Sequence, residues 1–229
     1  MSTCPPRTVS NRTRLGRGSY ATDAATLARR LLGQTLVRVL DDGTRLAGRI
    51  VETEAYLGVQ DRAAHCFGGR RTRRNEAMYA KPGTAYVYFT YGMHHCFNIV
   101  AGRVDEPTAV LIRALEPVDG LEAMRARRSA HRRPGSRPLR ETDLCSGPAK
   151  TCQALGIDRG FNGVDLTRDA HLFLERGAPA SDNAVQRSAR IGVQSAGAWA
   201  DRPLRWFLAS NPHVSIRPRA ADEWKSACQ

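Results

Sequence analysis

A chain of 229 residues, 41% hydrophobic and 25% charged, can build one substantial core and is neither fibrous nor compositionally disordered. Its 35 basic side chains outnumber 22 acidic ones to leave +13, and all but three of the cations are arginines, whose planar forks suit phosphate, so nucleic acid is the expected partner, ahead of an acidic membrane surface. No apolar run is long enough to cross a bilayer, and six scattered cysteines without a C-x-x-C point to reduced thiols in the cytoplasm.

In chain order, residues 1–19 lack the apolar core of a secretion signal and read as a disordered basic tail. The stretch TDAATLARRLLGQ (22–34) predicts a capped helix, with Thr22 or Asp23 at its start and Gly33 at its end. QTLVRVL and RLAGRIVETEAY flank DDGT, a hairpin signal. A polar, Gly- and Arg-rich loop spans 61–75, and a second hairpin follows in YVYFTYGMHHC (86–96). TAVLIRALEP (108–117) predicts a strand closed by its proline, GLEAMRARRSA a helix, and HRRPGSRPLR (131–140) a basic connection near phosphates. SGPAKTCQALGI (146–157) predicts another capped helix, with Pro148 in its first turn and Gly156 at its end. HLFLE, SARIGV and LRWFLA predict short strands. Hairpins with few helices and no βαβ rhythm indicate an α+β single domain, a largely antiparallel sheet with surrounding helices and a protruding β-hairpin.

Strict alternation in RIVETEAY places Ile50, Glu52, Glu54 and Tyr56 on one strand face. Two carboxylates so close are costly unless solvated or paired. A solvated outer face suits Glu52. Glu54, at the strand end beside Tyr56 and ahead of the loop to His65, suits a general base in a pocket. Arg113 stands among apolar neighbours and needs either a strand end or a buried acid, Glu54 or Glu116. Asn98, in CFNIV, needs a partner or a ligand. His65 on its own fits a structural role as well as a functional one. His65-Cys66 and His94-His95-Cys96 are adjacent pairs that point to opposite faces of a strand, so no metal site is expected.

The stretches ARRLLGQTLVRV, GRIVETEAYLGVQDRAAHCFGGRRTRRNEAMYAKPGTAYVYFTYGMHHCFNIV, AVLIRALEP and LCSGPAKTCQALGI lie in one register. Together they resemble the alkyladenine (3-methyladenine) DNA glycosylase family, the mammalian-type branch that also occurs in bacteria. The resemblance runs from about residue 22 to about residue 217. It implies a bacterial member with a glycosylase domain over 20–217 and a C-terminal tail over 218–229. It further implies base-excision repair, in which alkylated or deaminated purines (3-methyladenine, 7-methylguanine, hypoxanthine, ethenoadenine) are flipped out of duplex DNA and released by water. The enzyme would work without cofactor or metal, without lyase activity, as a monomer and on the nucleoid.

Motif by motif, the resemblance implies that Glu54 is the general base and that Arg113 supports the water and an adjacent phosphate. Tyr56, His65 and Tyr88 would sandwich the base, and Asn98 would discriminate against guanine's exocyclic amine. Tyr91, with Gly92 and Met93 at the hairpin tip, would fill the hole in the duplex. That role accounts for a large aromatic at a turn of a basic protein, because a flat ring can replace lost stacking. His94-His95 departs from the aromatic pair that the family often carries there. The competing reading is a non-catalytic nucleic-acid-binding module on the same fold.

Overall fold

The computed structural model describes residues 14–90 and 92–217. Its helices are α1 (Ala24–Leu31), α2 (Leu121–Ala130) and α3 (Pro148–Leu155). Its strands are β1 (Thr35–Val39), β2 (Arg45–Tyr56), β3 (Ala85–Thr90), β4 (His94–Ala101), β5 (Thr108–Asp119), β6 (Leu172–Glu175), β7 (Val185–Ser188) and β8 (Arg205–Leu208). They form one sheet in the order β3-β4-β5-β2-β1-β6, and β8 joins β2 to β7. Every pairing is antiparallel. The α+β expectation holds.

The long strand β2 organises the sheet. One edge pairs with β5 along almost its whole length. The other edge is divided between β1, opposite Arg45–Arg49, and β8, opposite Glu52–Glu54. Alternation then sorts the side chains. Val51, Ala55, Ala85, Val87, Phe97, Ile99, Val110 and Ile112 join the main core with Leu27 and Leu31 of α1 and Cys152 and Leu155 of α3. The intervening residues Tyr86, Val100 and Ala109 form a separate cluster with Cys66 and Met78. One face of these strands is therefore anchored by helices, and the other is left to a site.

Local signals account for most element boundaries. Asp23 caps α1 by accepting from the Thr26 N–H, and Leu27 and Leu31 bury their side chains one turn apart. Gly33, beyond the helix, has φ +87° and packs so tightly that a Cβ would meet the Ala178 carbonyl oxygen at 2.1 Å. Pro148 opens α3 and Gly156 closes it in the left-handed conformation. No helix among the described residues is long and apolar enough to cross a membrane.

Three expectations change. β5 does not stop at Pro117 but continues to Asp119, with Pro117 opposite Gly48. SARIGV is not a strand beyond Ser188, because the chain leaves the sheet there as a loop. The boundary expected at residue 20 falls inside packed structure: Leu15 is buried in the core, Arg14 bridges to Glu175 and Arg17 pairs with Asp165. Residues 1–13 of the tail expected over 1–19, and the whole tail expected over 218–229, lie outside the described residues.

Candidate active site

The site begins with an irregularity where β2 meets β5. Ile50 pairs with Leu115 and Glu52 with Ala114, so Val51 is extra on β2; Thr53 then pairs with Ile112, so Arg113 is extra on β5. Such bulges reset the alternation and re-aim side chains. Ile50, expected on the face of the carboxylates, joins the helix-side core instead. Arg113 is aimed at both acids. Its Nε donates to Glu52 Oε1 at 3.0 Å, and its Nη1 lies 3.2 Å from Glu54 Oε1.

Both carboxylates are fully buried, at 0% exposure. Buried charge is tolerable only when paired and hydrogen-bonded. Glu52 accepts from Arg113, from Arg205 Nε at 2.7 Å, and from the Ser215 N–H at 2.6 Å and Oγ at 2.8 Å. A solvated outer position for Glu52 is thereby excluded. Glu116 instead serves Asn211 and Arg49, which leaves Glu54 as one of the acids that Arg113 requires.

Glu54 is held from three sides. Oε1 accepts from the Ile191 N–H at 2.7 Å and forms an ion pair with Arg113, and Oε2 accepts from the Tyr56 hydroxyl at 3.0 Å. Burial, and then the Glu54 charge, push the Tyr56 phenol well above its ordinary range, so it remains a donor. Burial works against the Arg113 charge, but the two carboxylates more than offset it and hold the guanidinium cationic.

These three partners line a cavity of about 310 Å³, shared with His65, Tyr88 and Asn98. Glu54 does not line it; its carboxylate sits directly behind Tyr56, Arg113 and Ile191. The His65 ring meets Tyr88 edge-on with centroids 4.6 Å apart, and its Nδ1 lies 2.7 Å from the Tyr86 hydroxyl. Although His65 opens to solvent at the cavity mouth, burial against these rings, then Arg74 and Arg70, lowers its pKa. The Asn75 amide holds the carbonyls of His65 and Arg70, fixing the loop that presents the ring. Asn98 Nδ2 donates to the Tyr86 carbonyl at 3.1 Å, which answers its need for a partner. An aromatic recess of mixed polar and apolar lining, with an ordered carboxylate behind it, can take a flat ring and direct a small nucleophile at its edge.

β3 and β4 project beside this recess. Thr90 lines the cavity, Gly92 turns with φ +67°, and Met93 is 66% exposed. Phe89 is also exposed, and Arg74 reaches its carbonyl. An exposed apolar tip on a cationic protein is unusual for a free surface and suits insertion. Tyr91, the residue assigned to fill the duplex, lies outside the described residues.

The sequence reading missed Asp61, Arg190, Ile191, Arg205 and Ser215. Arg190 and Arg205 carried a weak signal, an arginine among apolar or small neighbours, like that which singled out Arg113. A backbone N–H such as that of Ile191 carries no residue-type signal at all.

A family model described as methylpurine-DNA glycosylase matches residues 18–212. The DNA-3-methyladenine glycosylase of Homo sapiens is 51% identical over 213 residues, covering 92% of this chain and 71% of its own. That of Mus musculus is 49% identical over 213 residues, covering 92% of this chain and 63% of its own. A relative from Desulfitobacterium hafniense, provisionally named a 3-methyladenine DNA glycosylase, is 43% identical over 207 residues, covering 89% of this chain and 99% of its own.

Proposed function

This chain belongs to the methylpurine-DNA glycosylase family, and from that premise we propose that its cavity receives a damaged purine turned out of duplex DNA while Glu54 directs water at C1′ of the sugar. The protein is a DNA glycosylase of base-excision repair. The observation that carries the proposed roles is the placement of Glu54: a buried carboxylate whose three partners all line one aromatic recess, next to an exposed apolar hairpin.

Extruding a base costs a few kcal/mol, and the hairpin tip offsets part of this by entering the minor groove with Tyr91, Gly92 and Met93. Tyr56, His65 and Tyr88 then stack on the purine. Their electron-rich faces favour a ring made cationic by alkylation. Asn98, oriented by the Tyr86 carbonyl, faces the base edge and disfavours an exocyclic amine. The lesions taken are expected to be 3-methyladenine, 7-methylguanine, hypoxanthine and ethenoadenine.

In the chemical step the bond between C1′ and the purine nitrogen breaks and its electron pair leaves with the base. A purine already charged at N3 or N7 departs neutral, without an acid. Glu54 stabilises the positive charge growing on the sugar, accepts a proton from water, and the resulting hydroxide bonds C1′. This is the two-carboxylate logic of inverting glycoside hydrolysis with the acid made optional. Arg113 gives Glu54 a buried counter-charge and extends toward the phosphate beside the flipped sugar. Lysines are absent from the cavity lining among the described residues, which supports water rather than an amine as nucleophile.

The protein is proposed to act as a monomer. The free thiols of Cys66, Cys96, Cys145 and Cys152 support a reducing compartment such as the cytoplasm, with the nucleoid as the place of work. The test is release of base from duplexes carrying one hypoxanthine or one ethenoadenine. Binding of duplex with no base released from any lesion would establish the non-catalytic module instead.

A further inference from the structure

Behind Tyr56 lies a second buried ion pair that the chemistry above does not use. Asp61 and Arg190 are each wholly inaccessible at the side chain. Arg190 grips both carboxylate oxygens, Nη1 to Oδ2 at 2.6 Å and Nη2 to Oδ1 at 2.9 Å, in the two-pronged geometry that only arginine offers. Nη1 also donates to the Ala55 carbonyl at 2.9 Å and Nη2 to the Trp199 carbonyl at 3.3 Å. Asp61 in turn accepts from the N–H groups of Leu57 and Ala63, both at 3.0 Å.

The pair thereby joins the end of β2 to two loops. Asp61 ties down the residue after Tyr56 and the turn leading to His65. Arg190 places its guanidinium 4.8 Å from the centroid of the Tyr56 ring, and the next residue in the chain, Ile191, gives its N–H to Glu54. Tyr56 holds one oxygen of Glu54 and Ile191 holds the other. Both alignments therefore start at Arg190, which touches neither Glu54 nor the cavity. A buried pair is weak evidence for stability, since apolar or neutral replacements often fold as well. Here its contacts converge on the catalytic carboxylate.

Resting on the function proposed above, we infer that Arg190, braced by Asp61, is a positioning residue that sets the Tyr56 ring and the Ile191 N–H against Glu54. It acts on the rate of base release rather than on capture of DNA. Lysine cannot reproduce the fork, and a neutral pair cannot reproduce the grip.

Two variants test this, Arg190→Lys and the double replacement Asp61→Asn with Arg190→Gln, whose amides remove both buried charges together and keep the fold testable if the lysine variant unfolds. In full-length protein, single-turnover release of ethenoadenine is expected to fall about 10- to 100-fold, with affinity for the lesion duplex held within roughly threefold. The fluorescence of the bound ethenoadenine should change as its stacking on Tyr56 loosens. A folded variant that releases base at the wild-type rate overturns the inference. So does a loss that follows the melting temperature and vanishes on cooling, which would make the pair merely structural. If the wild-type chain itself releases no base, the proposed function fails and this inference with it; undiminished release by the folded variants sinks this inference alone.

Discussion

Replacing Glu54 by Gln separates chemistry from folding more cleanly than any other single change. The amide matches the carboxylate in shape. Its oxygen can still accept from the Ile191 N–H and lie beside Arg113, and its nitrogen can donate to Tyr56, whose hydroxyl then reverses role. Arg113 keeps Glu52 as a counter-charge, which it then shares with Arg205. The cost is the conversion of charge-assisted bonds into neutral ones, about 1 kcal/mol each, so about 2 to 3 kcal/mol of stability in total. For a domain of this size that lowers the melting temperature by roughly 5 to 10 °C and leaves the protein folded at 25 °C. Removal of a general base instead costs about 100- to 10,000-fold in rate, or about 3 to 5 kcal/mol in the barrier. With enzyme in excess over an ethenoadenine duplex, Glu54→Gln should bind with near-native affinity and release base at least about 100-fold more slowly. Release within about tenfold of wild type would refute the base assignment. Binding lost in proportion to rate would make Glu54 a structural residue.

Tyr56→Phe keeps the stacking ring but takes away the donor to Glu54 Oε2, so excision should drop roughly tenfold or more while duplex binding stays constant; an unchanged rate means the hydroxyl does not orient the carboxylate. Tyr91→Ala should reduce capture of the flipped state, read as ethenoadenine fluorescence, without lowering the melting temperature, and unaltered single-turnover kinetics would remove the wedge. Affinity for duplex should fall steeply with salt, and Arg74→Gln, exposed beside the hairpin tip, should reduce the log–log slope by about one if it meets a phosphate. The lowered pKa of His65 has a defined sign. Its surroundings disfavour the imidazolium, so below the ordinary value near 6.5 the unfolded chain takes up more protons and stability falls with acidification. His65→Gln should make the melting temperature less dependent on pH between pH 7 and pH 5.5, and an identical slope in both proteins would show that folding does not disfavour the imidazolium.

What the amino-acid order determined alone was everything governed by short-range free energies. The Asp23 cap, the Pro148 and Gly156 ends of α3, and the alternation that puts Tyr86 and Tyr88 on the face opposite Ala85 and Val87 are decided within a few residues. The ordered motifs around Glu54, His65, Tyr88 and Asn98 likewise pointed to one family, and the fold brings His65, Tyr88 and Asn98 into one cavity lining with Glu54 behind it. Tertiary structure decided what pairs with what. Arg113 could serve Glu54 or Glu116 until paired bulges in β2 and β5 aimed it at Glu52 and Glu54. The same packing drew Arg205 and Ser215 onto Glu52, and set Arg190 and the Ile191 N–H, from a loop that reads as a strand, behind Tyr56 and Glu54. Those partners are more than 100 residues apart, and a buried charge selects whichever counter-charge the packed fold delivers, a choice that exists only after the chain has closed.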